Sequence, residues 1–305
     1  MCGVVGLLVR EPALKPRLGS LLVPMIEALD ERGPDSSGIA VYDDSPLCVT
    51  DPSRQPPMRI SLGSDGAVEW AELRDSLVGE FGPLAECHSF GAGVVLDVPQ
   101  ERSDEVRGFL RDHWSQVRVL GTGLHVRVLK DTGRPHETCA RFGIAQWQGY
   151  LAVAHTRMAT ESAVTVLHSH PFVPREDLCV VHNGSFSNYA TVRRRLQAKG
   201  VQFDSDNDSE VAARYLAMRL DAGDDLEEAT RWVMKEMDGF FTLVITTATG
   251  MSVVRDAFAC KPAVVAETAD YVAVASEYRA LAELPGIASA EVFEPQPEEV
   301  YTWSR

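Results

Sequence analysis

MCGVVGLLVREP, residues 1–12, is the stretch from which the fold can be read. Residues 3–9 (GVVGLLV) form a continuous apolar run bounded by Arg10 and Pro12, the pattern of a short buried strand. Directly ahead of the run stands Cys2. Cysteine is small enough to allow removal of Met1, which would leave one residue carrying both a thiol and a free α-amine. An α-amine titrates near ~7.7–8.0 and a free thiol near ~8.5, so the amine can accept the thiol proton around neutral pH. A single residue then supplies nucleophile and base, and the thiolate is the attacking species. Gly3 lets the backbone turn tightly beside a substrate. The plainer alternative makes Cys2 the second residue of an apolar strand. The remaining motifs have to decide between the two.

Bulk properties narrow the field. The 305 residues suffice for one large domain, with 45% hydrophobic and 24% charged residues, as in ordinary globular proteins. A net charge of −15 disfavours nucleic-acid binding, which needs a basic footprint. No apolar run reaches the ~18 residues of a membrane span. The amino terminus has no basic segment ahead of its apolar run and does not read as a secretory signal, so a cytoplasmic location is expected. The cysteines (Cys2, Cys48, Cys87, Cys139, Cys179 and Cys260) include no CxxC pair, which argues against a structural zinc site or a disulfide scaffold. No P-loop or GxGxxG sequence is present.

Outward from the first strand, Leu21, Leu22, Met25, Ile26 and Leu29 at helical spacing predict a helix over 18–30, followed by a turn cluster, RGPDSSG (32–38), and a strand at 39–42. Residues 44–75 are weakly periodic and read as an excursion from the core. A strand is expected over 88–97, a helix over 103–113, and a hairpin over 115–129 around Gly121 and Gly123. Strands at 150–156 and 178–182 precede helices near 188–199, 207–220 and 224–236. The last third reads as strands at 240–247, 251–256, 263–268 and 271–276, a short helix near 277–284, and a strand near 298–303. Strands and helices grouped in blocks predict layered α/β or α+β packing.

Six short motifs occur in order: MCGVVGLL at the start, RGPDSSG, HTRMAT (155–160), SHPF (169–172), HNGSFSNY (182–189) and SDNDSE (205–210). Together they resemble the class II glutamine amidotransferases, a branch of the N-terminal nucleophile hydrolases. The resemblance spans nearly the whole chain except roughly 44–145. HTRMATES, SHPF, HNGS and RDAFACKPAVVAET (255–268) look most like the amidotransferase subunit of N-methylglutamate synthase, related to the glutaminase domain of glutamate synthase. The resemblance implies an α+β fold, the four-layer αββα sandwich, over residues 2–305 as a single domain with a family-specific insertion at about 44–145.

It also implies roles. Cys2 would attack the side-chain amide of glutamine. Arg157 would hold the substrate α-carboxylate, which a guanidinium fork accepts bidentately, with Thr160 helping. Asn183 and Gly184 would form the oxyanion hole. Asp208 would bind the substrate ammonium, with Asp206 two residues earlier as a near neighbour. Arg32 would belong to the turn that braces the nucleophile. Each has an ordinary reading as well: a strand-end salt bridge for Arg157, an Asn-Gly turn for Asn183 and Gly184, a helix cap for Asp208. After HTRMAT this chain has Glu161-Ser162 where the common pattern places a glycine, in a segment that closes over the site in relatives.

Within this chain no cofactor and no metal is expected. The resemblance points to a partner, a glutamate-synthase-like subunit carrying FMN and an iron–sulfur cluster, in a hetero-oligomer that uses the released ammonia. His155, His168, His170 and His182 invite a metal reading, but their spacing lacks an HExxH or paired-cysteine frame. Two other functions stay open at this stage: a non-catalytic glutamine-binding regulatory subunit of the same fold, and an N-terminal nucleophile hydrolase acting on another amide.

Overall fold

The computed structural model describes residues 2–44, 55–82, 86–91, 93–159 and 163–305. In chain order the first half comprises β1 (Gly3–Val9), α1 (Leu18–Glu27), β2 (Ser36–Tyr42), β3 (Met58–Ser64), α2 (Trp70–Phe81), β4 (Glu86–Phe90), β5 (Gly93–Val98), α3 (Ser103–His113), β6 (Val117–Gly123), β7 (Val126–Thr132) and α4 (Pro135–Arg141). There follow β8 (Leu151–Arg157), β9 (Phe172–Arg175), β10 (Leu178–Phe186), α5 (Tyr189–Ala198), α6 (Asp208–Asp221) and α7 (Leu226–Glu236). The chain closes with β11 (Gly239–Thr247), β12 (Gly250–Arg255), β13 (Val264–Glu267), β14 (Tyr271–Ala275), β15 (Glu291–Phe293) and β16 (Val300–Ser304).

Two sheets face each other. One has the order β15-β13-β14-β1-β8-β2-β7 and the other β16-β12-β11-β10-β9. The apolar first strand lies inside the larger sheet because both its faces are covered. Val5, Leu7 and Val9 pack outward against Leu18, Leu22, Met25 and Ile26 of α1, while Val4 and Leu8 pack inward against Val181, Val244 and Val253 of the other sheet. Helices α5, α6 and α7 cover the smaller sheet through Val192, Val211, Leu216 and Val233. The sequence of layers is therefore helix, sheet, sheet, helix, the four-layer αββα sandwich expected.

Not all of the 44–145 stretch stands apart. Residues 58–123 form a separate lobe in which a sheet of order β4-β5-β3-β6 packs against α2 and α3 around its own core of Ile60, Leu62, Leu73, Leu77, Val106 and Leu110. By contrast β7 pairs with β2 across seven residues, and α4 contributes Cys139 to the core beneath α1. The hairpin expected over 115–129 does not form a ladder: β6 pairs with β3 and β7 with β2. The turn between them is held from outside, by the Asp177 carboxylate accepting the N–H groups of Leu124, His125 and Val126 at 2.9–3.0 Å. Strand β3, in the stretch read as an irregular excursion, is also an addition. The expected 88–97 strand is two strands around Gly91, whose φ of 58° is a turn conformation. A 3-10 turn at Tyr278–Ala280 stands where a short helix was expected.

The lobe is tied to the main body by buried charge. Asp43 accepts from Arg59 of β3 at 2.8 Å and from Arg127 of β7 at 2.7 Å, and the Ser61 hydroxyl accepts from the N–H of Val128 at 2.9 Å. Replacing Asp43 would leave two buried guanidinium groups without the carboxylate they share, and an uncompensated buried charge costs roughly 3–5 kcal/mol. Among the described residues no helix is long and apolar enough to cross a membrane.

Candidate active site

At one end of the sandwich the two sheets part into a cleft of about 450 Å³, whose lining includes Cys2, Arg157, Asn183, Gly184 and Asp208. Cys2 arrives from β1 and Arg157 is the last residue of β8. Because Gly3 pairs with Thr156, Cys2 emerges beside Arg157. A larger residue at position 3 would force the buried Thr156 side chain to shift, since a Cβ there would meet its Oγ1 at 2.7 Å. The half-buried Cys2 thiol lies 3.8 Å from the Met158 carbonyl oxygen. Burial pushes the thiols of Cys139 and Cys179 up to about 12, which removes them as nucleophiles at ordinary pH.

The RGPDSSG turn packs directly on this pair of strand ends. Arg32 donates from Nε to the Cys2 carbonyl at 3.0 Å and from Nη1 to Glu277 at 2.6 Å. Asp35 accepts from the Ala159 N–H at 2.8 Å, and its own N–H bonds the Arg157 carbonyl at 3.1 Å. Gly33 sits so close to the strand that a Cβ would fall 2.2 Å from the Thr156 carbonyl carbon. One turn thus holds both the residue that carries the thiol and the segment that carries the guanidinium. Arg157 donates to the Ala163 carbonyl at 2.9 Å. Burial lowers its guanidinium from the usual range, while Asp35, Asp206 and Asp208 oppose that shift.

Asn183 and Gly184 come from β10, in the opposite sheet. Asn183 is 3% exposed, and its Nδ2 has no hydrogen-bond partner among the described residues. Buried amide donors are nearly always bonded, so an unmade one lining a cleft is free to donate to a bound molecule. Gly184 has φ 151°, and a Cβ there would stand 2.0 Å from the Phe240 carbonyl oxygen. Only glycine fits, and the chain approaches the cleft edge with bare backbone.

Asp208 opens α6, capped by Asn207, whose side chain accepts from the Ser209 N–H at 2.9 Å. Asp208 Oδ2 accepts from the Phe186 N–H at 2.9 Å, and Oδ1 from Ser209 Oγ at 3.1 Å. The loop before it is fixed by Glu210, whose carboxylate takes the N–H groups of Asp204 and Ser205 at 2.9 and 2.8 Å. Asp206 also lines the cleft, but its exposed carboxylate bonds His168 at 2.6 Å, which lowers its pKa. Thr160 and the Glu161-Ser162 departure lie outside the described residues.

The histidines do not converge on a metal: no group of three or more His, Cys, Asp or Glu among the described residues is placed to hold one. His155, His170 and His182 instead form a buried cluster, with ring centroids 4.1 Å apart for His155 and His170 and 6.3 Å for His170 and His182. Burial holds all three below the usual histidine range, His155 at about 3. His170 and His182 line the cleft, a role the sequence reading did not give them; their place in SHPF and HNG was the signal. Ser209, Lys261 and Tyr189 are further lining residues not singled out from sequence.

Comparison with known proteins gives concordant results. Residues 155–283 match the family described as "glutamine amidotransferase domain". The chain is 42% identical to the glutamine amidotransferase-like protein GlxB of Rhizobium meliloti (strain 1021), covering 99% of this chain and 98% of that protein. It is 32% identical to a putative glutamine amidotransferase of Methanothermobacter thermautotrophicus, with 99% of each chain covered. Among solved structures, the glutamine phosphoribosylpyrophosphate amidotransferase of B. subtilis superposes with a TM-score of 0.61 at 17% identity, over 100% of this chain and 49% of that one. At that identity the likeness concerns the fold, and this chain spans about half of the larger protein.

Proposed function

Because this chain belongs to the class II glutamine amidotransferases, with their N-terminal nucleophile hydrolase fold, we propose that it hydrolyses glutamine to glutamate and ammonia through a thioester on Cys2. The observation that carries the reading is the buried, unpartnered Asn183 Nδ2 in the same cleft as the Cys2 thiol. After removal of Met1, the Cys2 α-amine takes the thiol proton and the sulfur attacks the δ-carbon of glutamine. The carbonyl oxygen becomes an oxyanion that receives N–H groups from Asn183 and Gly184. The Cys2 α-ammonium passes that proton to the amide nitrogen, and collapse of the intermediate breaks the C–N bond and releases ammonia. Water, deprotonated by the same amine, then cleaves the γ-glutamyl thioester. Arg157 pairs with the substrate α-carboxylate and Asp208 with its α-ammonium. Arg32 fixes the carbonyl of the attacking residue. Thr160 is assigned to the α-carboxylate by motif alone.

Released ammonia passes to a separate glutamate-synthase-like subunit carrying FMN and an iron–sulfur cluster. That part rests on the likeness of HTRMATES and RDAFACKPAVVAET to the amidotransferase subunit of N-methylglutamate synthase. Co-purification from native extract tests it; a chain that never elutes with a larger flavoprotein refutes it.

The glutaminase reading is tested by intact mass and by a diazoketone analogue of glutamine. Expected are a mature chain beginning at Cys2 and one adduct, on Cys2. A retained Met1, an adduct elsewhere, or undiminished glutamine hydrolysis by Cys2→Ala overturns it.

A further inference from the structure

Asp208 is braced on both oxygens by groups that meet at one ring. His182, in β10, is 3% exposed. Its Nδ1 lies 2.7 Å from Ser209 Oγ, and Ser209 Oγ lies 3.1 Å from Asp208 Oδ1. The direct separation of Nδ1 from Asp208 Oδ1 is 3.9 Å, too long for a hydrogen bond. On the other side, the Phe186 ring stacks on the imidazole at 4.3 Å and 21°, while the Phe186 N–H bonds Asp208 Oδ2 at 2.9 Å.

Hydrogen counting fixes the direction of this chain. An ionised carboxylate only accepts, and a serine hydroxyl has one hydrogen to give. For Ser209 to donate to Asp208, it must accept from His182, so the imidazole hydrogen sits on Nδ1. The main chain of His182 is anchored as well, since its carbonyl accepts from His155 Nε2 at 3.0 Å. A neutral ring here orients the carboxylate without adding positive charge where an ammonium has to bind.

We propose that His182 is a positioning residue for glutamine recognition: through Ser209 and Phe186 it sets the Asp208 carboxylate in the orientation that receives the substrate α-ammonium. This rests on the assignment of Asp208 above.

The test compares glutamine with glutaramate, which keeps the amide and the carboxylate but lacks the α-amine. In the full chain, kcat/KM is measured for both with His182→Gln, His182→Asn and Asp208→Asn. The expected result for His182→Gln is a fall of about three- to tenfold in the glutamine-to-glutaramate ratio, the worth of one hydrogen bond, expressed mainly in the KM for glutamine. His182→Asn restores the ratio, because an Asn amide N–H can stand near the Nδ1 position whereas a Gln amide reaches towards Nε2. Asp208→Asn collapses the ratio. If His182→Gln does not fold, Ser209→Ala carries the same expectation. The proposal is overturned if His182→Gln leaves the ratio unchanged, if both substrates suffer equally, or if His182→Asn fails to restore it. An unchanged ratio in Asp208→Asn instead overturns the assignment of Asp208, and the proposal with it.

Discussion

Replacing Asn183 by Ala separates catalysis from stability, because the side chain holds an unmade bond in the resting fold. Its Nδ2 is buried without a partner among the described residues. Such a group costs the folded state roughly 1–3 kcal/mol of desolvation. Asn183→Ala removes that cost and forfeits a comparable amount of packing around the lost amide. The two nearly cancel. At about 2 °C per kcal/mol for a chain of this size, the melting temperature should move by no more than a few degrees. The transition state, in contrast, loses an oxyanion donor. One such donor is worth ~2.7–4 kcal/mol, so kcat for glutamine should fall by ~10²–10³ with little change in KM. Glutamate release at saturating glutamine and a calorimetric melt on the same preparation measure both quantities. Activity within tenfold of wild type would refute the oxyanion assignment. A melting temperature lowered by more than about 5 °C would show that the amide supports the fold instead.

Other perturbations probe the surroundings. Arg32→Lys keeps a charge but offers no fork for both the Cys2 carbonyl and Glu277, and should lower kcat about tenfold while KM stays within twofold in steady-state assays. His155, His170 and His182 have folded pKa values below their unfolded ones, so the unfolded chain binds more protons as pH falls below about 6.5. Stability should therefore drop by up to about 4 kcal/mol per pH unit below about 6, seen as a falling urea midpoint between pH 7 and 5; a constant midpoint contradicts the burial of the cluster. Lys130 is buried against Phe172, and desolvation lowers its ammonium from 10.5 to about 8. Its unfolded form thus holds the proton more tightly, and the penalty is complete below pH 8 and fades as pH rises to about 10.5. Lys130→Met should gain up to about 3 kcal/mol at pH 7, with the advantage shrinking above pH 8 in denaturant titrations.

The layers were legible because their apolar patterns are strong. The run at 3–9 and the paired strands at 240–247 and 251–256 can be buried only inside sheets, and the helices at 188–236 carry clear stripes. Strand β3 escaped notice because MRISLGS alternates only weakly and follows a proline-rich approach. The hairpin over 115–129 misled for another reason: local turn signals were overridden by Asp177, more than fifty residues further on, which no short-range rule can see. In the site, Cys2, Asn183, Gly184, Arg157 and Asp208 could be picked from motifs and do share one cleft. The contribution of His182 could not, since a strand-end histidine reads as an ordinary core residue until Ser209 is brought against it from another element.

Strand β7 is one of the two edge strands of the larger sheet, a place where unpaired backbone groups would ordinarily invite a neighbouring molecule to add its own strand. Here β3 and β6 of the lobe lie against it, and Ser61 occupies the Val128 amide from the side. The lobe therefore covers the flank at which an added strand would otherwise pair. A shortened version lacking residues 58–123 would retain every cleft residue named above and still be prone to clump.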